Sequence, residues 1–165
     1  MTHRSGSVTL LEVAPRDGFQ SIAAPLPTGE KIAIAEMLLD AGANPNLTKS
    51  SGETPLMTAS RVGNVAVVRM LLAAGADPTA SESVRGQTAL MWAAAENHTA
   101  VAEVLLETGG GAATRSINGF TPLLFAAQRG SVGIARLLLA AGAEVDESAP
   151  DGIGGDTNAR VLFRE

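Results

Sequence analysis

The feature that most constrains this chain is a ten-residue segment that occurs three times at nearly constant spacing. The copies begin at Gly52, Gly86 and Gly119, and in each one the glycine is followed by a variable residue, a threonine and an apolar stretch containing alanine. The interval is 34 residues between the first two copies and 33 residues between the last two. A period of this length predicts a stacked array of repeats, in which each unit packs only against its neighbours.

Each copy is followed by a second apolar block that ends close to a glycine. The blocks cover residues 67–72, 101–106 and 134–139, and the glycines are Gly75, Gly109 and Gly142. Glycine readily adopts the left-handed conformation that ends many helices, so each block is predicted to be a helix that ends there. Gly63, Asn97 and Gly130 lie between the two apolar segments of each unit and predict a turn, because Asn tolerates the same conformation better than most residues do.

The first helix of each unit has its own start signal. Thr54, Thr88 and Thr121 can each accept a hydrogen bond from a free backbone N–H group at the start of a helix. Pro55 and Pro122 follow two of these threonines and suit the first helical turn, where no backbone donor is missed. The sequence therefore predicts helix–turn–helix units.

With these positions in register, residues 52–151 resemble ankyrin repeats. The shared features are the Thr-Pro-Leu start, the Ala-Ala pair, the glycine in the middle of the unit, the Leu-Leu pair and the Ala-Gly-Ala ending before an acidic residue. The chain departs from the family at the histidine that usually follows Thr-Pro-Leu, where it has Met57, Met91 and Leu124. The resemblance implies an all-α fold, an ankyrin-repeat solenoid of helix–turn–helix units with hairpin-like connectors.

A second resemblance covers residues 8–42, which are similar to the start of 3-hydroxy-3-methylglutaryl-CoA lyase and its relatives. It is carried by residues 12–20, Pro27-Thr28 and Lys31-Ile32. It implies that Arg16 acts on the substrate and that Asp17 binds a divalent metal. A (β/α)₈ barrel needs about 250 residues, however, and the family's distal His-x-His ligands and cysteine loop have no counterpart here. We therefore interpret this stretch as a relic, with a lyase-related, metal-dependent acyl-CoA enzyme fragment or fusion as the alternative.

These patterns divide the chain into six segments. Residues 34–43 lie in register with a second helix, 33 residues before the equivalent stretch of the next unit. The extra residue of the 34-residue unit is expected within 81–85, because loops tolerate insertion. The segments are a poorly ordered arm (1–27), a half-repeat (28–51), three repeats (52–85, 86–118 and 119–151) and an irregular tail (152–165).

Composition excludes several kinds of function. The chain has no cysteine, which excludes disulfides and thiolate metal sites, and its two histidines cannot form a histidine cluster. The net charge of −5 argues against a nucleic-acid partner, because nucleic-acid binders concentrate Lys and Arg on one face. No run approaches the roughly 20 apolar residues of a membrane helix, and the N-terminus lacks a signal-peptide core. We predict a cytoplasmic protein that has no catalytic residue, cofactor or metal.

The ankyrin resemblance implies that a partner docks on the hairpin tips and on the concave face of the first helices. Those places hold Ser50, Ser51, Glu53, Arg61, Val62, Val84, Arg85, Gln87, Ala95, Glu96, Ile117, Asn118, Phe120, Gln128 and Arg129. This mixture suits a protein partner better than a phosphate or a small metabolite. Phe120 and Arg129 are the predicted anchors, since aromatic and arginine side chains dominate interface energies.

Two further aromatic residues lie at equivalent positions of neighbouring units, Trp92 and Phe125. One interpretation of these rings is an exposed stripe on which a ligand stacks, but core packing is favoured because both lie beside the Ala-Ala pair. His98 is interpreted as structural, since no nucleophile or carboxylate partner recurs near it. The predicted function is a non-catalytic protein–protein interaction module, with weak self-association through the uncapped C-terminal repeat.

Overall fold

The structure is a computed structural model that describes residues 28–145. Within these residues the chain forms seven α-helices and no strand, which confirms the all-α repeat fold. The helices are α1 Thr28–Asp40, α2 Pro55–Val62, α3 Val65–Ala73, α4 Ala89–Ala95, α5 Thr99–Glu107, α6 Pro122–Arg129 and α7 Val132–Ala140. Helices α2/α3, α4/α5 and α6/α7 form three packed pairs, and the single helix α1 packs against α3.

The three threonines begin the first helices as predicted. The hydroxyl oxygens of Thr54, Thr88 and Thr121 accept hydrogen bonds from the backbone N–H three residues later, at 3.2, 3.4 and 3.3 Å. Such a side chain satisfies one of the backbone donors that a helix start leaves free. The start of each first helix is therefore fixed by local chemistry.

The turn between the paired helices needs a left-handed residue in every unit. Gly63 and Gly130 have φ values of 79° and 66°, and Asn97 takes the same place with φ 59°. At Gly63 the absence of a side chain also permits contact with the next repeat, because a Cβ there would lie 2.5 Å from the His98 ring. His98 Nε2 lies 3.0 Å from the carbonyl oxygen of Arg61. The predicted structural role of His98 thus has a physical basis in the contact between repeats.

The core lies mainly between the three first helices, which are neighbours in the array. Leu56, Leu90 and Leu124 have no exposed surface, and neither do the gap-filling Met57 and Met91. Ala93, Ala94 and Ala126 lie where the helices face each other, and they are also fully buried. Small side chains at such positions let helices approach closely, which explains why the repeat is rich in alanine.

Each first helix is preceded by a hairpin closed by one backbone hydrogen bond. The N–H of Lys49 donates to the Glu53 carbonyl at 3.1 Å, and the N–H of Ser116 donates to the Phe120 carbonyl at 2.8 Å. The middle hairpin is closed by the N–H of Glu82 and the carbonyl of Gln87, at 3.0 Å. The closing residues are four apart in the outer hairpins but five apart in the middle one. The extra residue of the longer repeat therefore lies in this turn, as the spacing predicted.

Some predictions concern residues outside 28–145. They include the N-terminal arm with Arg16 and Asp17, and the C-terminal tail from 152 onward. They stay predictions, and so does self-association through the last repeat.

Candidate partner-binding groove

The three hairpins are joined into a row by backbone hydrogen bonds between repeats. The N–H of Ser83 donates to the carbonyl of Ser51 at 2.8 Å, and the N–H of Ile117 donates to the carbonyl of Arg85 at 2.8 Å. We call residues 47–62, 81–96 and 114–129, which hold the hairpins and the first helices, the hairpin face. Because backbone bonds fix the hairpins relative to each other, the side chains of three repeats form one surface.

A groove of about 380 Å³ lies in the middle of this face. It is formed by the middle hairpin and by the three first helices. Its lining residues are Arg61, Glu82, Val84, Arg85, Gln87, Met91, Trp92, Ala95, Glu96 and Phe125.

Trp92 and Arg61 form the apolar and cationic centre of the groove. The guanidinium carbon of Arg61 lies 4.7 Å from the centroid of the Trp92 ring, a cation–π arrangement. The guanidinium of Arg61 also forms an ion pair with Glu53 at 3.5 Å, so two partners hold it in place. A half-buried indole beside a held arginine presents a rigid surface, which a binding partner can contact at little cost in side-chain entropy.

The carboxylate of Glu82 is fully hydrogen-bonded within the middle hairpin. It accepts backbone N–H groups from Val84 at 2.6 Å, Arg85 at 2.8 Å and Gln87 at 3.1 Å. Burial alone raises the pKa of the Glu82 carboxyl, but the three donated N–H groups and the positive charge of Arg85 outweigh it and hold that pKa below its ordinary value. The carboxylate therefore stabilises the longer turn and has little capacity left for a ligand.

Arg129 links two repeats through two residues that line the groove, Ala95 and Glu96. Its Nε donates to the carbonyl oxygen of Ala95, and a terminal nitrogen lies 3.3 Å from a carboxylate oxygen of Glu96. The side chains of Arg129 and Glu96 remain about half exposed. Arg129 is thus both a contact between repeats and an accessible cation.

The structure brings some of the predicted site residues together and separates others. Six of the fifteen line the groove, namely Arg61, Val84, Arg85, Gln87, Ala95 and Glu96. Eight lie elsewhere on the hairpin face, at least partly exposed, namely Ser50, Ser51, Glu53, Val62, Ile117, Asn118, Gln128 and Arg129. Whether any of them binds a partner stays a prediction.

Phe120 is the remaining predicted site residue, and the structure corrects its predicted exposure. Its side chain is only 9% exposed and belongs to the core cluster, so it cannot be an accessible anchor. Its N–H donates to Ser116 Oγ at 3.0 Å, and its ring centroid lies 5.6 Å from that of Phe125. The closed hairpin turns the ring inward, because burying an aromatic ring beside another one stabilises the fold.

Four lining residues were absent from the predicted site: Glu82, Met91, Trp92 and Phe125. The preference for core packing at Trp92 and Phe125 was half right, because both rings pack against the core and also line the groove. The sequence contained a sign of this role, since Trp92 and Phe125 occupy equivalent positions in the first helices of neighbouring repeats. Glu82 had no such signal, because its role depends on the fold of one exceptional turn.

The described residues contain no group of three or more His, Cys, Asp and Glu side chains placed to hold a metal ion. In the same part of the chain, every helix is too short or too polar to cross a bilayer.

Stacked helix pairs, hairpins joined by backbone bonds and a groove across the first helices define a helical repeat protein. Two family models describe the repeats further. One for ankyrin repeats in many copies matches residues 38–84, and one for three copies of ankyrin repeats matches residues 76–149. The matches together run from residue 38 to residue 149, more than half of the chain, and the chain belongs to the ankyrin-repeat family.

No curated protein matches this chain. Both family matches begin after residue 37, and no finding supports the resemblance of residues 8–42 to lyases.

Proposed function

We propose that this chain is a non-catalytic protein–protein interaction module and that the hairpin face is its partner surface. Membership of the ankyrin-repeat family supports the general role, since these repeats generally act as protein-binding modules. The observation that carries the proposal is the groove, in which side chains from three repeats converge on a half-buried tryptophan.

The composition of the groove and its border resembles that of a protein interface. Val84 and Ile117 are large apolar side chains that are 68% and 67% exposed. They lie beside Arg85, and Trp92 and Arg61 occupy the groove next to them. Tryptophan and arginine are the residues most enriched among interface positions that dominate affinity, and a partly polar border around an apolar centre is the usual arrangement.

The proposal can be tested by site-specific crosslinking in cells that express the full chain. Benzoylphenylalanine at Ile117 places a photoreactive group on the hairpin face. The same residue at Arg69, an exposed position of α3, is the matched control. We expect a discrete protein adduct from position 117 and none from position 69. The partner identified in this way is then purified and titrated against the chain by calorimetry.

A variant that leaves the core intact completes the test. Ile117→Ser removes an exposed apolar side chain, so the variant should bind the purified partner about tenfold more weakly. The melting temperature of the variant should equal that of the natural chain. Equal crosslinking from positions 117 and 69, or unaltered affinity in Ile117→Ser, would contradict the assignment of this face.

A further inference from the structure

Charge is divided unevenly between the hairpin face and the remainder of the described residues. The hairpin face has five cations (Lys49, Arg61, Arg85, Arg115 and Arg129) and three carboxylates (Glu53, Glu82 and Glu96), a formal charge of +2. The other described residues have three cations (Lys31, Arg69 and Arg136) and seven carboxylates (Glu30, Glu36, Asp40, Asp77, Glu103, Glu107 and Glu144), a formal charge of −4. A chain whose net charge is −5 therefore presents a cationic surface where its groove lies.

The three carboxylates of the hairpin face are all occupied within the protein. Glu53 pairs with both Lys49 and Arg61, and Glu82 accepts the three N–H groups of its turn. Glu96 pairs with Arg129. None of these three carboxylates forms an ion pair with Arg85 or Arg115.

Two arginines of the same face consequently form no ion pair with a described residue. Arg115 donates only to the carbonyl of Gly119, at 3.3 Å. Arg85 is exposed, lines the groove and makes no side-chain hydrogen bond within residues 28–145, although its charge is felt by Glu82. An exposed guanidinium in a groove offers a planar pair of donors that matches a carboxylate.

Apolar surface lies directly beside this cation. Val84 precedes Arg85 in the turn, and the N–H of Ile117 is bonded to the Arg85 carbonyl. The two backbones are so close that a Cβ at Gly86 would lie 2.9 Å from the backbone nitrogen of Ile117 and 3.0 Å from its Cγ1. One guanidinium and two exposed apolar side chains thus occupy one patch at the edge of the groove.

We propose that the groove binds an extended acidic segment of a partner protein, with a carboxylate on Arg85 and a neighbouring apolar side chain on Val84 and Ile117. This inference rests on the proposed function and names the chemistry of its partner. The excess of cations steers an acidic segment toward this face and away from the other described residues, whose formal charge is −4. A nucleic acid fits less well, because it needs a longer row of cations than the two unpaired arginines supply.

The test uses the full chain and a library of random twelve-residue peptides displayed on phage. We expect enriched peptides to contain Asp or Glu next to a large apolar residue. A synthetic peptide of the enriched sequence should bind Arg85→Gln about tenfold more weakly than the natural chain, because a charge-assisted pair is lost. Arg69→Gln is the matched control, since it removes the same charge from the other side, and it should leave affinity unchanged.

A second measurement does not depend on a variant protein. Replacing the peptide's acids by the corresponding amides should reduce affinity for the natural chain by a similar factor. Raising the salt concentration from about 0.05 M to about 0.3 M should reduce it further, since screening weakens exposed charge pairs.

The outcomes separate this inference from the proposed function. Enriched peptides that are neutral or basic, or that bind Arg85→Gln as tightly as the natural chain, would overturn the inference. If those peptides still crosslink from position 117, the proposed function stands. Peptides that crosslink only from position 69 would overturn both. Binding of a single-stranded oligonucleotide that Arg85→Gln abolishes, and that exceeds peptide binding, would overturn the inference in favour of a nucleic acid.

Discussion

The first helices and the second helices of the repeats have opposite roles. Each of α2, α4 and α6 has only seven or eight residues, yet five of them are buried in each helix. Helices α3, α5 and α7 have nine residues each, of which two, four and three are buried. The second helices are thus longer but contribute less to the core. The difference shows that most of the core and the groove depend on the same row of helices, the first ones, whereas the second helices bury a smaller share of their residues.

The largest expected effect comes from a cavity in the row of first helices. Leu90→Ala removes a fully buried side chain in the first turn of α4 and should lower the free energy of unfolding by about 4 kcal/mol. The matched change in an outer helix is Leu106→Ala, at a half-buried position of α5, and it should cost about half as much. Urea unfolding measures both. Equal losses would show that the two rows contribute alike.

The next largest effect on stability is expected for Phe120→Ala, which tests whether Phe120 is a core residue and not an interface anchor. Because the ring packs in the core beside Phe125, its loss should lower the free energy of unfolding by about 3 kcal/mol. Ile117→Ala, three residues earlier and largely exposed, should change it by less than about 0.5 kcal/mol. A stable Phe120→Ala protein with weakened partner binding would restore Phe120 as an interface anchor.

A smaller effect is expected at Glu82, the acceptor of the middle hairpin. Glu82→Gln retains one acceptor oxygen but loses the charge, so it should cost about 1–2 kcal/mol at neutral pH. The folded protein lowers the pKa of this carboxyl, so its contribution is complete above the unfolded pKa of about 4.3 and is lost as pH falls through the folded value. The stability gap between the natural chain and Glu82→Gln should therefore close in acid. A gap that is independent of pH would assign the cost to packing.

The smallest expected effect belongs to the exposed ion pair of Glu96 and Arg129. Glu96→Gln should lower the free energy of unfolding by no more than about 0.5 kcal/mol, since solvent screens an exposed pair. The loss should vanish at high salt, which thermal melts at two salt concentrations can measure. A loss that persists in salt would indicate that Glu96 has a structural role beyond its charge.

The local features of the fold were predictable because each depends on a few neighbouring residues. Thr54 caps its helix through a bond to the third residue after it, and Asn97 takes the left-handed turn that Gly63 and Gly130 take elsewhere. The extra residue of the 34-residue repeat was also placed correctly within 81–85, because the change in the interval between copies shows which loop is longer. Such features are decided within one repeat.

The sequence by itself determined the architecture of this protein, the boundaries of its turns and the sign of its net charge. Only the tertiary structure decided which residues of the hairpin face are accessible. Phe120, predicted as an exposed anchor of its hairpin, turns into the core, whereas Trp92, predicted to pack in the core, also reaches the groove. The physical reason is that exposure depends on contacts between repeats, such as that of Trp92 with Arg61 from the preceding unit, and these contacts join residues about thirty positions apart.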